Sequence, residues 1–396
     1  MSGRGGPERV GRRELGRFLR EAGALSPEWA GTFEAVDRAG FLPSLMWPFD
    51  METKASVAVD RSREPDAWYG YADSDVPITT QWDDGEHAGP GPGRVPTSSA
   101  SMPSVVFRML GDLAVEDGHR VLDIGTGPGI NAAYLAHRLG GDNVFTMEVD
   151  AGVAAAARSA LALAGLRPGV ITGDGLEGHR AAAPYDRIIA TAGVRTFPRA
   201  WLEQTRPGGV VVLPWGTRFG NRDAVARLVV SGDGTAASGF FTRPVEFMKL
   251  RAQRLSWPGH AAHVPAEGTA GPGVRRTVSD IPEDEFFPGT WDALEFALGL
   301  RIADCLRIVA DKRDGMRPVW LYGLSDMSWA VAVFRDGADT DVYQSGGRAL
   351  WTEAESAYRW WKMNDSPGFE RFGLTVTAGG QDVWLDEPRH SIRLIR

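Results

Sequence analysis

The chain of 396 residues contains a single cysteine, Cys305. One thiol cannot form an intramolecular disulfide, and it cannot supply a zinc site built from several cysteines. The apolar neighbours Ile302 and Leu306 favour a buried core thiol over a reactive one. The cysteine content therefore excludes both a disulfide scaffold and a cysteine zinc cluster.

The sequence also lacks a long hydrophobic run and an excess of basic residues. No apolar segment approaches the roughly 20 residues that a membrane helix needs, and the N-terminal MSGRGGPERVGRR has no apolar core of a signal peptide. The 43 basic and 51 acidic residues give a net charge of -8, which argues against a nucleic-acid partner. We therefore expect a cytoplasmic monomer without membrane or nucleic-acid partners.

The most informative stretch is a glycine-rich turn between two elements of different period. The apolar run 121–124 is typical of a strand, and an apolar-periodic helix begins at about Asn131. A second apolar run, 144–147, ends on the acid Glu148. Three glycines separate the first strand from the helix: Gly125, Gly127 and Gly129. A strand, a glycine turn, a helix and a second strand ending in an acid form a nucleoside-binding unit.

The glycine spacing narrows the range of possible ligands. A dinucleotide fingerprint needs a glycine at the position of Ile130, whereas here Gly129 comes one residue early. The G-x-G-x-G pattern preceded by Asp123 favours S-adenosylmethionine (SAM). A NAD site and a purely structural glycine turn are the alternatives.

Strands and helices alternate after this unit up to about residue 214, which predicts an α/β fold with a doubly wound, Rossmann-like parallel sheet. Residues 47–78 show no clear period and are expected to be irregular. The Gly-Pro-rich segment 81–97 is expected to be a loop, either a surface excursion or a lid. We predict four regions: an N-terminal helical cap (1–85), a methyltransferase core (86–257), a linker (258–278) and a C-terminal α+β domain (279–396).

Several motifs in a fixed order carry a family resemblance. They are LDIGTGPG (122–129), GDGLEG (173–178), APYDRIIATAG (183–193), RPGGVVVLPWG (206–216) and, upstream, SASMP (99–103). Over residues 14 to 250 the chain resembles the protein-L-isoaspartate (D-aspartate) O-methyltransferases. The resemblance implies a SAM-dependent carboxyl methyltransferase that releases S-adenosyl-L-homocysteine and needs no metal.

The C-terminal segment 360–388 carries a second resemblance. Its WWKMNDSPGFERFGLTVTAGGQDVWLDEP is similar to the C-terminal extension of isoaspartyl-methyltransferase-like enzymes encoded with ribosomally made peptides such as lanthipeptides, lasso peptides and graspetides. This resemblance implies methylation of one aspartate in a precursor peptide, leading to aspartimide or isoaspartate. General isoaspartyl repair is the alternative, and a peptide-binding module without chemistry is a third reading.

The residues expected at the site fall into three groups. Glu148 is expected at the ribose hydroxyls or as a solvated strand-tip acid, and Asp174 at the adenine amino group or as an Asx-turn acid. The expected cofactor-binding residues are Asp123, Gly125, Thr126, Gly127, Gly129, Glu148, Val149, Asp174 and Gly175. The resemblance places Ser101, with Ser99 beside it, at the substrate carboxylate, whereas the residues alone also allow Ser101 to be a helix N-cap. The expected substrate-binding residues are Ser98, Ala192, Gly193, Pro214 and Trp215.

Overall fold

The computed structural model describes residues 9–289 and 291–395, and the backbone divides into two compact units. Unit 1 comprises the chain up to Ala192 together with Pro198–Leu213 and Arg227–Ala237. Unit 2 comprises Gly193–Phe197, Pro214–Ala226 and the chain from Ser238 onward. In the described chain, no helix is long and apolar enough to cross a membrane.

The N-terminal part of unit 1 combines helices with a small antiparallel sheet. Its elements are α1 (Val10–Glu21), α2 (Pro27–Ala35), β1 (Leu45–Asp50), β2 (Ala55–Ser56), β3 (Val59–Asp60), α3 (Pro65–Ala72), β4 (Ile78–Trp82) and β5 (Pro96–Ala100). The strand order is β2-β1-β4-β5, and β3 also pairs with β1. The expectation of an irregular stretch over 47–78 is therefore wrong. These strands have two to six residues, so they are too short to show a period in the sequence.

The rest of unit 1 is a parallel α/β layer. Its elements are α4 (Pro103–Leu113), β6 (Val121–Ile124), α5 (Ile130–Leu139), β7 (Val144–Glu148), α6 (Ala151–Leu163), β8 (Gly169–Thr172), β9 (Tyr185–Ala190), α7 (Arg199–Gln204) and β10 (Thr205–Trp215). The strands follow the order β10-β9-β6-β7-β8, and the chain reverses direction across the sheet at β6. This order confirms the predicted doubly wound fold, in which ligands bind beyond the carboxyl ends of the strands near the reversal.

The core of the parallel layer follows from the apolar runs in the sequence. Every residue of β6 and of β9 is buried, as expected for strands covered on both faces. The strands β11 (Asp223–Val230) and β12 (Ala236–Val245) are neighbours, joined by a turn at 231–235. The strands β10, β11 and β12 each contain residues of both units.

Unit 2 contains a five-stranded antiparallel sheet packed against helices. Its further elements are α8 (His260–His263), β13 (Arg275–Ser279), α9 (Glu283–Phe286), α10 (Leu294–Arg301), β14 (Cys305–Val309), β15 (Met316–Gly323), β16 (Trp329–Arg335), β17 (Ala338–Ser345), α11 (Leu350–Met363), β18 (Phe372–Thr377) and β19 (Gly380–Leu385). The sheet order is β13-β17-β16-β15-β14. Most of this segment forms the α+β pattern expected from the sequence, although β13 occupies the end of the segment expected to be a linker.

The C-terminal hairpin β18–β19 belongs to a different sheet, in which β18 lies next to β12. The Ser238 and Thr375 hydroxyls share a hydrogen bond of 2.7 Å across these two strands, and the Phe240 ring lies edge-on to Trp384. The last strands of the chain therefore extend the sheet that contains β12.

Cys305 is buried, and burial raises the pKa of its thiol to about 12, which agrees with an inert core cysteine.

Candidate active site

The glycine-rich loop follows β6 and requires glycine at three positions. The φ angles of Gly125, Gly127 and Gly129 are 95°, 51° and 99°, in the left-handed region that side chains disfavour. A Cβ atom at Gly127 would also lie 3.2 Å from the Ser99 carbonyl oxygen. The backbone N–H groups of Gly125 and Thr126 donate to the Met147 carbonyl oxygen. The loop is thus a bare backbone cradle between β6 and β7, the shape that a nucleoside ligand requires.

Asp123 lies beneath this loop and is completely buried. Its carboxylate accepts hydrogen bonds from the Asn131 amide at 2.8 Å and from the Thr146 hydroxyl at 2.7 Å. The Thr146 hydroxyl in turn contacts the Thr126 hydroxyl, which extends the network into the glycine-rich loop. Burial raises the pKa of Asp123 to about 7. The geometry suits a residue that orders the loop from below.

Glu148 is the last residue of β7 and remains partly exposed. One carboxylate oxygen accepts the Gly127 backbone N–H at 2.9 Å, and the other accepts the Asp150 backbone N–H at 3.1 Å. The acid predicted at the strand tip therefore reaches back to the middle glycine of the loop. Val149, the next residue, is 43% exposed and borders the same strand end.

Asp174 follows β8 at the same edge of the sheet and is exposed. Its side chain accepts the Leu176 backbone N–H at 2.9 Å, so it closes an Asx turn, as one of the two readings of the sequence proposed. This contact uses one carboxylate oxygen and leaves the adenine contact a prediction. The neighbouring Gly175 is buried, and its carbonyl oxygen accepts the Trp201 indole N–H.

The serine segment links β5 to α4. Ser98 is buried and accepts a hydrogen bond from the Thr80 hydroxyl at 3.0 Å, whereas Ser99 and Ser101 are partly exposed. The buried guanidinium of Arg38 donates to the Ala100 and Ser101 carbonyl oxygens, both at 3.1 Å. Burial lowers the pKa of Arg38 to about 10. This arginine, which the sequence reasoning missed, holds the serine backbone from beneath.

The reading of Ser101 as a helix N-cap is wrong. The N-cap position of α4 is Met102, and no side chain at that position caps the helix. Instead, the Asp75 carboxylate accepts the Ser104 backbone N–H at 2.7 Å. An acid far away in the sequence thus makes the hydrogen bond expected of Ser101, because the N-cap position falls one residue later than expected.

Two strand ends carry the remaining predicted residues. In unit 1, the Thr191 hydroxyl donates to the Gly125 carbonyl oxygen at 2.7 Å, which places neighbouring Ala192 beside the glycine-rich loop. In unit 2, the Val194 N–H donates to the Pro214 carbonyl oxygen. The Trp215 ring packs against aromatic side chains of unit 2, and its predicted substrate contact stays a prediction.

Gly193 forms an isolated parallel β-bridge with Lys249. Its N–H donates to the Met248 carbonyl oxygen, and its carbonyl oxygen accepts the Leu250 N–H. Between these residues, Lys249 extends to Asp223 and forms a buried ion pair of 2.5 Å. A Cβ atom at Gly193 would lie 3.0 Å from both side chains, so this close approach favours glycine at the last position of the APYDRIIATAG motif.

Together, the doubly wound sheet and the glycine-rich loop with its strand-tip acid define a Rossmann-like fold of the kind that SAM-dependent methyltransferases have. Comparisons with known proteins place the chain further. Residues 49–242 match the family model described as protein-L-isoaspartate(D-aspartate) O-methyltransferase. The chain is 38% identical over 167 residues to a protein-L-isoaspartate O-methyltransferase of Methylorubrum extorquens, which is 42% of this chain and 71% of that protein. The chain belongs to the protein-L-isoaspartate O-methyltransferase family.

Other similarities are shorter or more distant. The chain is 41% identical over 117 residues to the enzyme of the same name from Azorhizobium caulinodans, and the match spans 29% of this chain and about half, 53%, of that relative. A solved protein-L-isoaspartate O-methyltransferase structure aligns with a TM-score of 0.51 at 20% identity, over 95% of this chain and 100% of that one. This structural likeness supports the fold.

Proposed function

We propose that the protein is a SAM-dependent carboxyl O-methyltransferase that acts on a specific aspartate of a ribosomally made, crosslinked precursor peptide. One observation carries the choice of substrate. The segment 360–388, which resembles the C-terminal extension of enzymes encoded with ribosomally made peptides, folds into the end of α11 and the hairpin β18–β19. A protein that accepts any isoaspartyl bend needs little additional contact surface, whereas selection of one folded peptide needs more.

SAM supplies an electrophilic methyl group on a sulfonium centre. The residues of this chain fit SAM in three respects: the glycine-rich loop presents bare backbone, Glu148 lies at the strand tip as an acceptor for ribose hydroxyls, and Asp174 lies at the next strand tip for the adenine amino group. In this assignment Thr126, Val149 and Gly175 line the same strand ends. The Asp123 network keeps the loop in its left-handed conformation.

The acceptor needs alignment more than acid-base help, because an aspartate carboxylate is already ionised at neutral pH. We assign to the Ser101 hydroxyl, with Ser99 beside it, the donation of a hydrogen bond to one carboxylate oxygen while the other oxygen attacks. Arg38 fixes the backbone that carries both serines. Ser98, Ala192, Gly193, Pro214 and Trp215 are assigned to the peptide around the acceptor.

The product of this reaction is an aspartyl methyl ester. The backbone amide nitrogen that follows the ester attacks its carbonyl carbon, the amide proton leaves with methoxide as methanol, and an aspartimide forms. Hydrolysis of the aspartimide gives isoaspartate or aspartate.

General repair of isoaspartyl residues is the second candidate function, and the similarity to protein-L-isoaspartate O-methyltransferases favours it. The experiment that separates the two candidates incubates the full chain and SAM with two acceptors. One is a short isoaspartyl peptide, and the other is a crosslinked, ribosomally made peptide that contains an aspartate. Mass spectrometry should show methyl addition and then methanol loss at one aspartate of the precursor. Methylation of the isoaspartyl peptide alone would support repair and contradict the proposal.

A further inference from the structure

An open groove in unit 1 lies beside the serine segment, and methyl transfer alone gives it no role. Its volume is about 490 Å³, which is within the usual range for ligand pockets. Its walls are the turn 40–43 and the face of α6 that carries Gly152, Val153 and Ala156. This α6 groove lies entirely within unit 1, which also contains the glycine-rich loop and Ser101.

The lining of the α6 groove is uncharged and mostly apolar. None of the described residues that line it is charged, although 24% of the chain is. Phe41 and Leu42 are buried beside it, and Leu163, the last residue of α6, is 89% exposed. Covering apolar surface is favourable, whereas moving a charged group onto such a surface costs its hydration. The lining therefore favours an uncharged, apolar ligand.

Small residues of α6 keep the groove open and set its length. Gly152, Ala156 and Ala160 lie on successive turns of the helix, on the same face as Leu163. Gly152 and Leu163 are about 16 Å apart along the helix axis, at a rise of about 1.5 Å per residue. An extended peptide advances by about 3.3 Å per residue, so this length accommodates about five residues. The dimensions thus fit a short extended peptide segment.

The α6 groove also reaches the glycine-rich loop and the serine segment. Pro128 of the loop and Ser98 both line it. The Ser98 hydroxyl oxygen lies 3.7 Å from the position of a Cβ atom at Gly127, and the Ser99 carbonyl oxygen lies 3.2 Å from that position. A peptide whose acceptor lies at Ser101 therefore has its neighbouring residues within reach of the groove. This continuity makes the substrate peptide the occupant.

We infer that the α6 groove binds an uncharged, apolar segment of the substrate peptide next to the acceptor aspartate. The inference rests on the proposed function, because it takes the serine segment as the place of the acceptor. It adds a specificity that the acceptor site alone does not supply, namely a preference for apolar residues beside the aspartate.

The test measures binding of two synthetic peptides to the full chain in the presence of S-adenosyl-L-homocysteine. Both contain one aspartate and the same soluble tail. In one peptide the aspartate has three leucines on each side, and in the other it has three serines on each side. The ratio of their Kd values reports the apolar preference without turnover. We expect the wild-type protein to prefer the leucine peptide about tenfold or more, because leucine side chains gain from burial.

Two variants and their matched controls make this ratio diagnostic. Ala156→Phe fills the groove, so its preference should fall to nearly 1. Ala155→Phe places the same ring on an exposed residue of α6 that does not line the groove, so it should keep the wild-type preference. Leu163→Asp introduces a charge into the lining and should lower the preference about threefold or more, whereas Ala162→Asp should not.

Several results would overturn the inference. One is a wild-type ratio near 1, and another is an Ala156→Phe ratio equal to that of Ala155→Phe. If Ala156→Phe does not fold, an unchanged ratio in Leu163→Asp overturns it instead, because this exposed position tolerates substitution. A loss of S-adenosyl-L-homocysteine affinity in Ala156→Phe but not in Ala155→Phe would assign the groove to the cofactor. A wild-type dimer that Leu163→Asp separates would assign it to a second copy of the chain.

Failure of the proposed function is measured separately from these binding ratios. It would appear as an absence of methyl transfer from SAM to both the crosslinked peptide and the isoaspartyl peptide. That result would remove the acceptor site, and this inference with it. Methyl transfer without any apolar preference would overturn the inference and leave the proposed function standing.

Discussion

Glu148 connects the glycine-rich loop to the end of β7, and we expect it both to hold the loop and to bind SAM. Its carboxylate accepts two backbone N–H groups, one of them from Gly127, and it stays partly exposed at the strand tip. We expect Glu148→Ala to weaken SAM binding by about 1–3 kcal/mol, the usual cost of losing a hydrogen bond to a charged group. Isothermal titration calorimetry measures this change.

A matched control for Glu148 is an exposed acid at the opposite end of β7. Asp142→Ala removes a carboxylate that precedes this strand, so SAM affinity should stay at the wild-type value. Unchanged SAM affinity in Glu148→Ala would remove this residue from the cofactor site.

Asp123 predicts how stability depends on pH. Its pKa is about 7 in the folded protein, above the ordinary value of 3.8, so the folded state binds this proton more tightly than the unfolded state. The stability that this residue contributes is therefore full below about pH 4 and declines as the pH rises to about 7, by about 1.4 kcal/mol per unit of pKa difference. Urea unfolding at several pH values should show a flatter profile for Asp123→Asn. An identical profile in both proteins would contradict the raised pKa.

The residues of the site differ in whether a short stretch of sequence is enough to predict them. The three glycines, Glu148 and the serine segment carry short-range patterns, since a turn or a strand end needs particular residues at fixed spacing. No local sequence pattern predicts the contacts of Arg38, Asp75 or the Lys249–Asp223 pair, because the residues in each contact lie far apart in the sequence. The N-cap assignment failed for the same reason, because the acid that binds the helix terminus lies 29 residues upstream of Ser104.

At the N-terminus of α4, we expect one residue to stabilise the helix and a different residue to act in catalysis. Because Asp75 provides the side-chain bond at this terminus and Ser101 does not, Asp75→Ala should cost about 1 kcal/mol of stability. Ser101→Ala should leave stability unchanged and reduce kcat about fivefold, the effect of roughly 1 kcal/mol in the transition state. Thermal unfolding and initial rates measure the two effects.

The control for this element is Ser104→Ala, which leaves the backbone N–H in place and should alter neither quantity. SAM affinity should stay at the wild-type value in Ser101→Ala. A wild-type kcat in Ser101→Ala would show that the serine does not contact the substrate.

At the level of elements, the sequence predicts long, regular patterns better than short ones. The parallel strands are runs of buried apolar residues separated by helices, and the structure confirms their order along the chain. The strands β1, β2 and β3 escaped prediction because two to six residues cannot establish a period. The pairing of β18 with β12 is a contact between residues far apart in sequence, which only the folded chain defines.

The pairing of β18 with β12 determines how the chain should respond to deletion of its C-terminal region. The C-terminal hairpin lies next to β12, and Phe296 of α10 packs against Trp215 and Phe241. A deletion from Ser279 onward would remove Phe296, expose the Trp215 and Phe241 rings, and leave β12 without β18. We expect the truncated chain to aggregate, because exposed apolar surface and an open strand edge both promote association.

The measurement for the truncated chain is size-exclusion chromatography after expression, with the full chain as the control. A monomeric, folded truncation that still binds SAM would contradict the packing described for unit 2. Substrate recognition by this region is therefore better tested with point variants than with truncation.

We propose that this family member selects an aspartate of a crosslinked peptide and is not a general repair enzyme. The most direct measurement is kcat/KM for methyl transfer to the crosslinked precursor and to a short isoaspartyl peptide, with the same enzyme preparation and saturating SAM. We expect a value at least tenfold higher for the precursor, which corresponds to about 1.4 kcal/mol of additional transition-state binding. An equal or higher value for the isoaspartyl peptide would contradict it.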